Sequence, residues 1–159
     1  MVSTSPNPLD YFAIQNTISR YCIALDTKDF ELLKQVFIDD VDTQYPFGGN
    51  IVGVESVAAA IKKRLTPITS QHALTTQQIT IAADGETAEA VTYFTGIHFG
   101  QGKWKGKEVT AWGKYVDKLV LVGDGKDAVL PGASGRWRIS RRVVDFMGRL
   151  GEEGVMDGE

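Results

Sequence analysis

The apolar positions along this chain change period once. Tyr11, Ile14, Ile18, Tyr21 and Leu25 recur at steps of 3, 4, 3 and 4, which is one face of an amphipathic helix. Pro8 and Asp10 suit its start, and the pattern ends near Asp26. Asp29 is placed to cap a short second helix with Phe30, Leu33, Val36 and Phe37 inward. Val41 to Phe47 reads as a strand stopped by Gly48-Gly49. Val54, Val57, Ile61 and Leu65 predict a third helix, closed by Pro67.

After Pro67 the period becomes two. Strands are expected over residues 71–83, 86–99, 108–122 and 137–147. Asp84-Gly85 is a hairpin turn signal between the first two. Gly100 to Gly106 is a short basic loop, and the longer Gly-rich stretch from Gly123 to Gly135 reads as mobile. Residues 1–8 are expected to be a flexible N-terminus, 9–147 a single domain and 148–159 a frayed tail. Helices first and long antiparallel strands later make an α+β domain with helices covering one sheet face. Long strands twist and curl, and a curled sheet closed by helices leaves a hollow. Gly96 and Gly113 are candidate bend points within strands.

Composition narrows the partners. The net charge is −3 over 159 residues, which is no footprint for nucleic acid or an anionic membrane. No apolar run approaches membrane-spanning length, and Met1 to Pro8 lacks the apolar stretch of a secretory signal, so a cytoplasmic location is expected. The lone cysteine, Cys22, has no disulfide partner and falls in the helical pattern, as core or as a pocket lining. With two histidines far apart, no metal-ligand pattern arises, so chemistry without metal or cofactor is expected.

Several polar residues then stand out. Tyr21 reads either as a core tyrosine or as a pocket hydroxyl, and Asp26 either as a turn residue or as a functional carboxylate. His72 opens the first long strand; with a carboxylate on one ring nitrogen, the other becomes an oriented base. Asp26 and His72 are the simplest such pair in the chain. His98 shares a strand face with Thr92, Phe94 and Gly96, as a second pocket histidine or an edge residue. Tyr115 and Asp117 alternate with Lys114 and Lys118, so Asp117 is expected to be buried and to need partners. In the last strand, Arg142 reads as part of a surface cationic row or as a cation reaching the pocket.

At these residues the chain resembles the SnoaL-like branch of the nuclear transport factor 2-like fold. It is similar there to scytalone dehydratase, bile acid 7α-dehydratase and hexachlorocyclohexane dehydrochlorinase. The segment from Leu25 to Phe30 is similar to the one carrying the dehydratase aspartate, Ser70-Gln71-His72 to its histidine segment, and Tyr45 falls where it has a pocket tyrosine. Tyr21 stands five residues before Asp26, as in the bile acid enzyme, and Arg142 stands five after Trp137, as in the dehydrochlorinase. Leu25 and Asp117 depart from the scytalone dehydratase pattern, which argues against scytalone as substrate.

The resemblance implies a cone-shaped curved mixed β-sheet, an α+β barrel, with N-terminal helices enclosing a pocket. It implies a homodimer or homotrimer acting on a small molecule. The implied chemistry is a lyase of dehydratase type, or an isomerase, acting on a hydroxylated polycyclic or aromatic metabolite. In it Asp26, His72, Tyr21 and Arg142 are catalytic, and Tyr45, His98, Tyr115 and Asp117 bind substrate. The alternatives are a non-catalytic binding module and an epoxide hydrolase using Asp26, Asp117 and Arg142.

Overall fold

A computed structural model of the chain describes residues 5–157. Helix α1 (Pro8–Thr27) starts where Asn7 caps it: its Oδ1 accepts the Leu9 N–H at 3.0 Å, and Pro8 occupies a first-turn position that needs no N–H. The flexible segment expected over residues 1–8 overlaps this cap, and residues 1–4 lie outside the described residues. Ile14, Ile18, Tyr21 and Leu25 are buried as expected. Tyr11 is exposed, because Asp10 takes the inward place in that turn and accepts the Ser134 N–H at 2.8 Å.

The second helix is a 3₁₀ turn, Phe30–Gln35, and the Asp29 side chain does not cap it. Strand β1 (Phe37–Tyr45) starts earlier than its apolar run and turns through Pro46–Gly48 into β2 (Gly49–Val52), a short hairpin partner that the sequence did not announce. Helix α2 (Val54–Leu65) buries Val54, Val57, Ile61 and Leu65. Four long strands follow: β3 (Thr69–Ile81), β4 (Thr87–Phe99), β5 (Glu108–Val122) and β6 (Arg136–Gly151).

The strands form one curved, unclosed six-stranded sheet in the order β2-β1-β6-β5-β4-β3. It is mixed, because β1 runs parallel to β6 and all other neighbours are antiparallel. The helices cover its concave face, giving the α+β cone.

Two expectations about mobile segments are corrected. The last strand does not stop at Met147, and residues 148–157 do not fray: β6 continues to Gly151, and Glu153–Asp157 form a 3₁₀ turn with Val155 fully buried. The end of the loop 123–135 is held at the start of α1, with Asn7 Nδ2 donating to the Gly132 carbonyl at 2.8 Å and Ala133 buried.

Two register shifts in β6 decide which of its side chains face inward. Leu119 pairs with Ile139 and Lys118 with Arg141, so Ser140 is the extra residue of a bulge. Trp137 and Ile139 point inward before it; Arg142 and Val144 do so after it. Arg142 is thereby brought beside Asp117, and both side chains have 0% exposure. Its Nε and Nη2 donate to the two Asp117 oxygens, each at 2.7 Å. Arg141 points outward and donates to Asp42 at 2.7 Å near the surface.

Truncating one member of a buried pair leaves the other charge uncompensated. Arg142→Met is therefore expected to lower unfolding free energy by about 3–5 kcal/mol. Arg141→Met should cost under about 1 kcal/mol, as for exposed ion pairs. Urea denaturation of both variants checks this, and equal midpoints would contradict the buried-pair account.

Candidate active site

Asp26 lies in the last turn of α1, the negative end of the helix dipole, where a carboxylate gains nothing from its own helix. Its stabilisation comes from β3. Ser70 Oγ donates to Asp26 Oδ1 at 2.9 Å, the His72 backbone N–H to Oδ2 at 2.8 Å, and the His72 ring meets Oδ1 through Nδ1 at 2.7 Å. Burial works to raise the Asp26 pKa, but the bonds from the His72 ring and backbone, the charge of His72 and the Ser70 hydroxyl together hold it below its ordinary value. An ionised carboxylate only accepts, so the Nδ1 proton points to Asp26, and in the neutral ring the lone pair is on Nε2. Nε2 makes no hydrogen bond among the described residues, and His72 lines an internal cavity.

That cavity has a volume of about 50 Å³ and opens to solvent. Its inner end is formed by Tyr21, Tyr45 and Tyr115, all nearly fully buried. The Tyr21 and Tyr45 hydroxyls are 3.0 Å apart and share a hydrogen bond. Burial pushes the Tyr21 phenol up to about 12, against the opposing charge of Arg142. Burial likewise raises Tyr45 well above its ordinary value. Both hydroxyls therefore hold their protons and can serve as hydrogen-bond donors.

Small residues give the cavity its room. His72 pairs with Gly96 across β3 and β4, and a Cβ at Gly96 would come within 3.2 Å of the His72 ring. Gly113 lies under Phe94, whose ring stacks on Tyr115 with centroids 4.4 Å apart. The two glycines expected to bend the sheet thus clear space for aromatic rings.

His98 is buried beside His72, ring centroids 5.6 Å apart, and its Nδ1 donates to the Val109 carbonyl at 3.2 Å. Burial first, then the charge of His72, lowers its pKa from 6.5 to about 4, so it stands neutral in the cavity wall. Cys22 belongs to the core and is absent from the lining; burial raises its thiol to about 12.

The structure thus brings together Asp26, His72, Tyr21, Tyr45, His98 and Tyr115. It corrects the placement of Arg142 and Asp117, which do not line the cavity. They are locked to each other behind it, with the guanidinium 4.2 Å from the ring centroids of both Tyr21 and Tyr115. Asp117 is spent on that pair and holds no free oxygen toward a substrate. Two cations of the lining went unnoticed in the sequence, Arg64 and Arg149. Arg64 follows Ile61 by three on α2, a helical spacing that was available as a signal. Arg149 was hidden by a second bulge at Met147.

A family model described as a SnoaL-like domain matches residues 8–143. Among solved structures, a protein of Kribbella flavida, Kfla4162, has a TM-score of 0.75 at 17% identity, covering 89% of this chain and 93% of that one. A protein of Novosphingobium aromaticivorans, provisionally assigned as a scytalone dehydratase, has a TM-score of 0.73 at 18% identity, covering 91% and 88%. The hexachlorocyclohexane dehydrochlorinase LinA-type3 of Novosphingobium barchaimii has a TM-score of 0.71 at 15% identity, covering 91% of both chains. No curated protein matches the chain.

The depressed His98 pKa has a measurable consequence. Between its ordinary 6.5 and about 4 the unfolded chain binds a proton that the folded chain refuses, so this group subtracts stability as pH falls through that window. The loss should reach on the order of 2–3 kcal/mol by pH 4. His98→Gln is expected to flatten that part of the stability–pH curve measured by thermal melts. An unchanged slope would show that His98 is charged in the folded protein.

Proposed function

The chain belongs to the SnoaL-like domain family, and from that premise we propose that it is a cofactor-independent lyase of dehydratase type acting on a hydroxylated polycyclic or aromatic metabolite. The observation that carries the reading is the 2.7 Å contact of Asp26 with His72 Nδ1, which leaves Nε2 free at an enclosed, largely apolar cavity. His72 Nε2 takes a proton from carbon next to a carbonyl or unsaturation. The electron pair left on that carbon forms the new double bond as the C–O bond on the neighbouring carbon breaks. The departing oxygen receives a proton from the Tyr21–Tyr45 pair and leaves as water. Asp26 stays ionised, keeps the ring in one tautomer and stabilises the imidazolium.

An isomerase would use the same base and return the proton to another carbon. The paired phenols in the same cavity as His72 favour elimination, because a poor leaving oxygen needs an acid. Arg142 acts here as a positioning residue through the Tyr21 ring. The aromatic walls Phe94, Tyr115 and Phe146 suit a flat, ring-bearing substrate of polyketide or terpenoid type. A binding module has no use for an oriented base. The epoxide hydrolase reading needs Asp117 and Arg142 on a cavity water, and neither lines the cavity.

Among the described residues no helix is long and apolar enough to cross a membrane. A cytoplasmic setting and a homodimer or homotrimer complete the proposal. Exposed Tyr93, Trp112 and Val116 on the outer sheet face support the assembly.

The test is α-proton exchange in D₂O on a panel of hydroxylated bicyclic and tricyclic ketones, followed by mass spectrometry. His72→Ala and Asp26→Asn are expected to keep the parent's circular dichroism and lose about 10²–10⁴-fold in rate. Folded variants that exchange as fast as the parent would refute the assignment. Dialysis against EDTA is expected to leave the rate unchanged; loss restored by a divalent ion would overturn the cofactor-free part.

A further inference from the structure

The acid–base reading leaves two cations of the cavity unused. Arg64 comes from the last turn of α2 and Arg149 from the end of β6. Both are partly exposed, whereas Tyr21, Tyr45 and Tyr115 are buried. The arginines therefore mark the mouth and the tyrosines the floor.

Each guanidinium is held against an aromatic ring. Arg64 lies 4.5 Å from the Phe47 ring centroid and Arg149 5.7 Å from that of Phe146. Such stacking fixes direction and leaves the edge N–H groups for hydrogen bonding. Arg64 forms no ion pair within 4.0 Å among the described residues, so its donors lack a fixed carboxylate. Arg149 Nη2 donates to Glu153 at 2.9 Å, while its Nε is buried without a partner.

Two like charges at one opening repel. Burial first, and then the Arg149 charge, lowers the Arg64 pKa from its ordinary value, while the charges of Glu153 and Asp157 act more weakly the other way. Glu153 is mostly exposed and its hydrogen bond goes to Arg149 alone. Glu153 offsets part of the Arg149 charge and Arg64 has no carboxylate in contact among the described residues, so the pair keeps a positive charge at the edge of an apolar slot, and the planar forks match an oxyanion.

We infer that the molecule taken by this cavity carries a carboxylate or a similar oxyanion, held between Arg64 and Arg149 at the mouth while its ring system reaches inward past His72. The orientation of the reacting carbon toward His72 rests on the lyase reading; the anion contact does not. The substrate class narrows accordingly, to ring-bearing acids in place of neutral hydroxylated rings.

The probes are 2-naphthoate and its neutral isostere 2-naphthamide, with binding followed by calorimetry at low salt. Naphthoate is expected to bind at least about tenfold more tightly, the worth of one charge-assisted hydrogen bond. Added sodium chloride should shrink that preference. Arg64→Gln and Arg149→Gln should each remove most of it, Arg64→Lys should retain part, and Arg141→Gln, on the outer face, should leave it intact. Equal affinity for the two probes, no naphthoate binding, or a preference that survives in the Arg64→Gln/Arg149→Gln double variant would overturn the inference. Binding is read without turnover, so the two readings fail separately. Naphthoate preference without His72-dependent exchange removes the lyase and keeps the anion site; exchange without preference does the reverse.

Discussion

A guanidinium and a carboxylate held together out of water set the terms for the rest of this fold. Arg142 and Asp117 are both fully buried, and their two short bonds to each other offset much of the lost hydration. That geometry requires β5 and β6 to be in one register, which the Ser140 bulge supplies. It also requires neighbours that tolerate a cation. The faces of Tyr21 and Tyr115 provide them, so the pair fixes those two rings as they fix it. Tyr21 in turn places its hydroxyl against that of Tyr45. The floor of the cavity is thus a consequence of an ion pair that never reaches it.

The cavity wall shows the same economy of cause. A histidine ring and a hollow beside it need missing side chains on the neighbouring strands. Gly96 opposite His72 and Ala111 beyond it supply that absence at one level, and Gly113 supplies it for Phe94 at the next. The Asp26 carboxylate crosses from the helical layer to the sheet at this level, bound by Ser70 and by both the ring and backbone of His72. Helix α1 and strand β3 are therefore joined by polar contacts at the place where the packed core is interrupted.

Charge is sorted along the cavity. Phenols that keep their protons lie at the floor, the ionised Asp26 is shielded behind a ring, His98 stands neutral in the wall, and arginines occupy the rim. Desolvation explains the neutral groups, and hydrogen bonding explains the one anion that survives partial burial.

Local pattern was enough for α1, α2 and the bodies of the four long strands. Ile14, Ile18, Tyr21 and Leu25 named the inner face of α1, Asp84-Gly85 the hairpin, and the lysines flanking Tyr115 and Asp117 the inner face of β5. Their periodicity is a property of neighbours in sequence, so it can be read without the fold. The approach of Asp26 to His72 was expected from a resemblance; its distance and its three hydrogen bonds belong to the packed structure. What local pattern could not supply was parity after a bulge. One extra residue at Ser140, another at Met147 and an irregularity after Leu74 exchange the inner and outer faces of everything beyond them. That exchange buries Arg142 against Asp117 and brings Arg149 to the rim. Bulges form where strands from distant parts of the chain must match their curvature. Which arginine meets an acid and which waits at the opening was therefore settled only when the sheet curled.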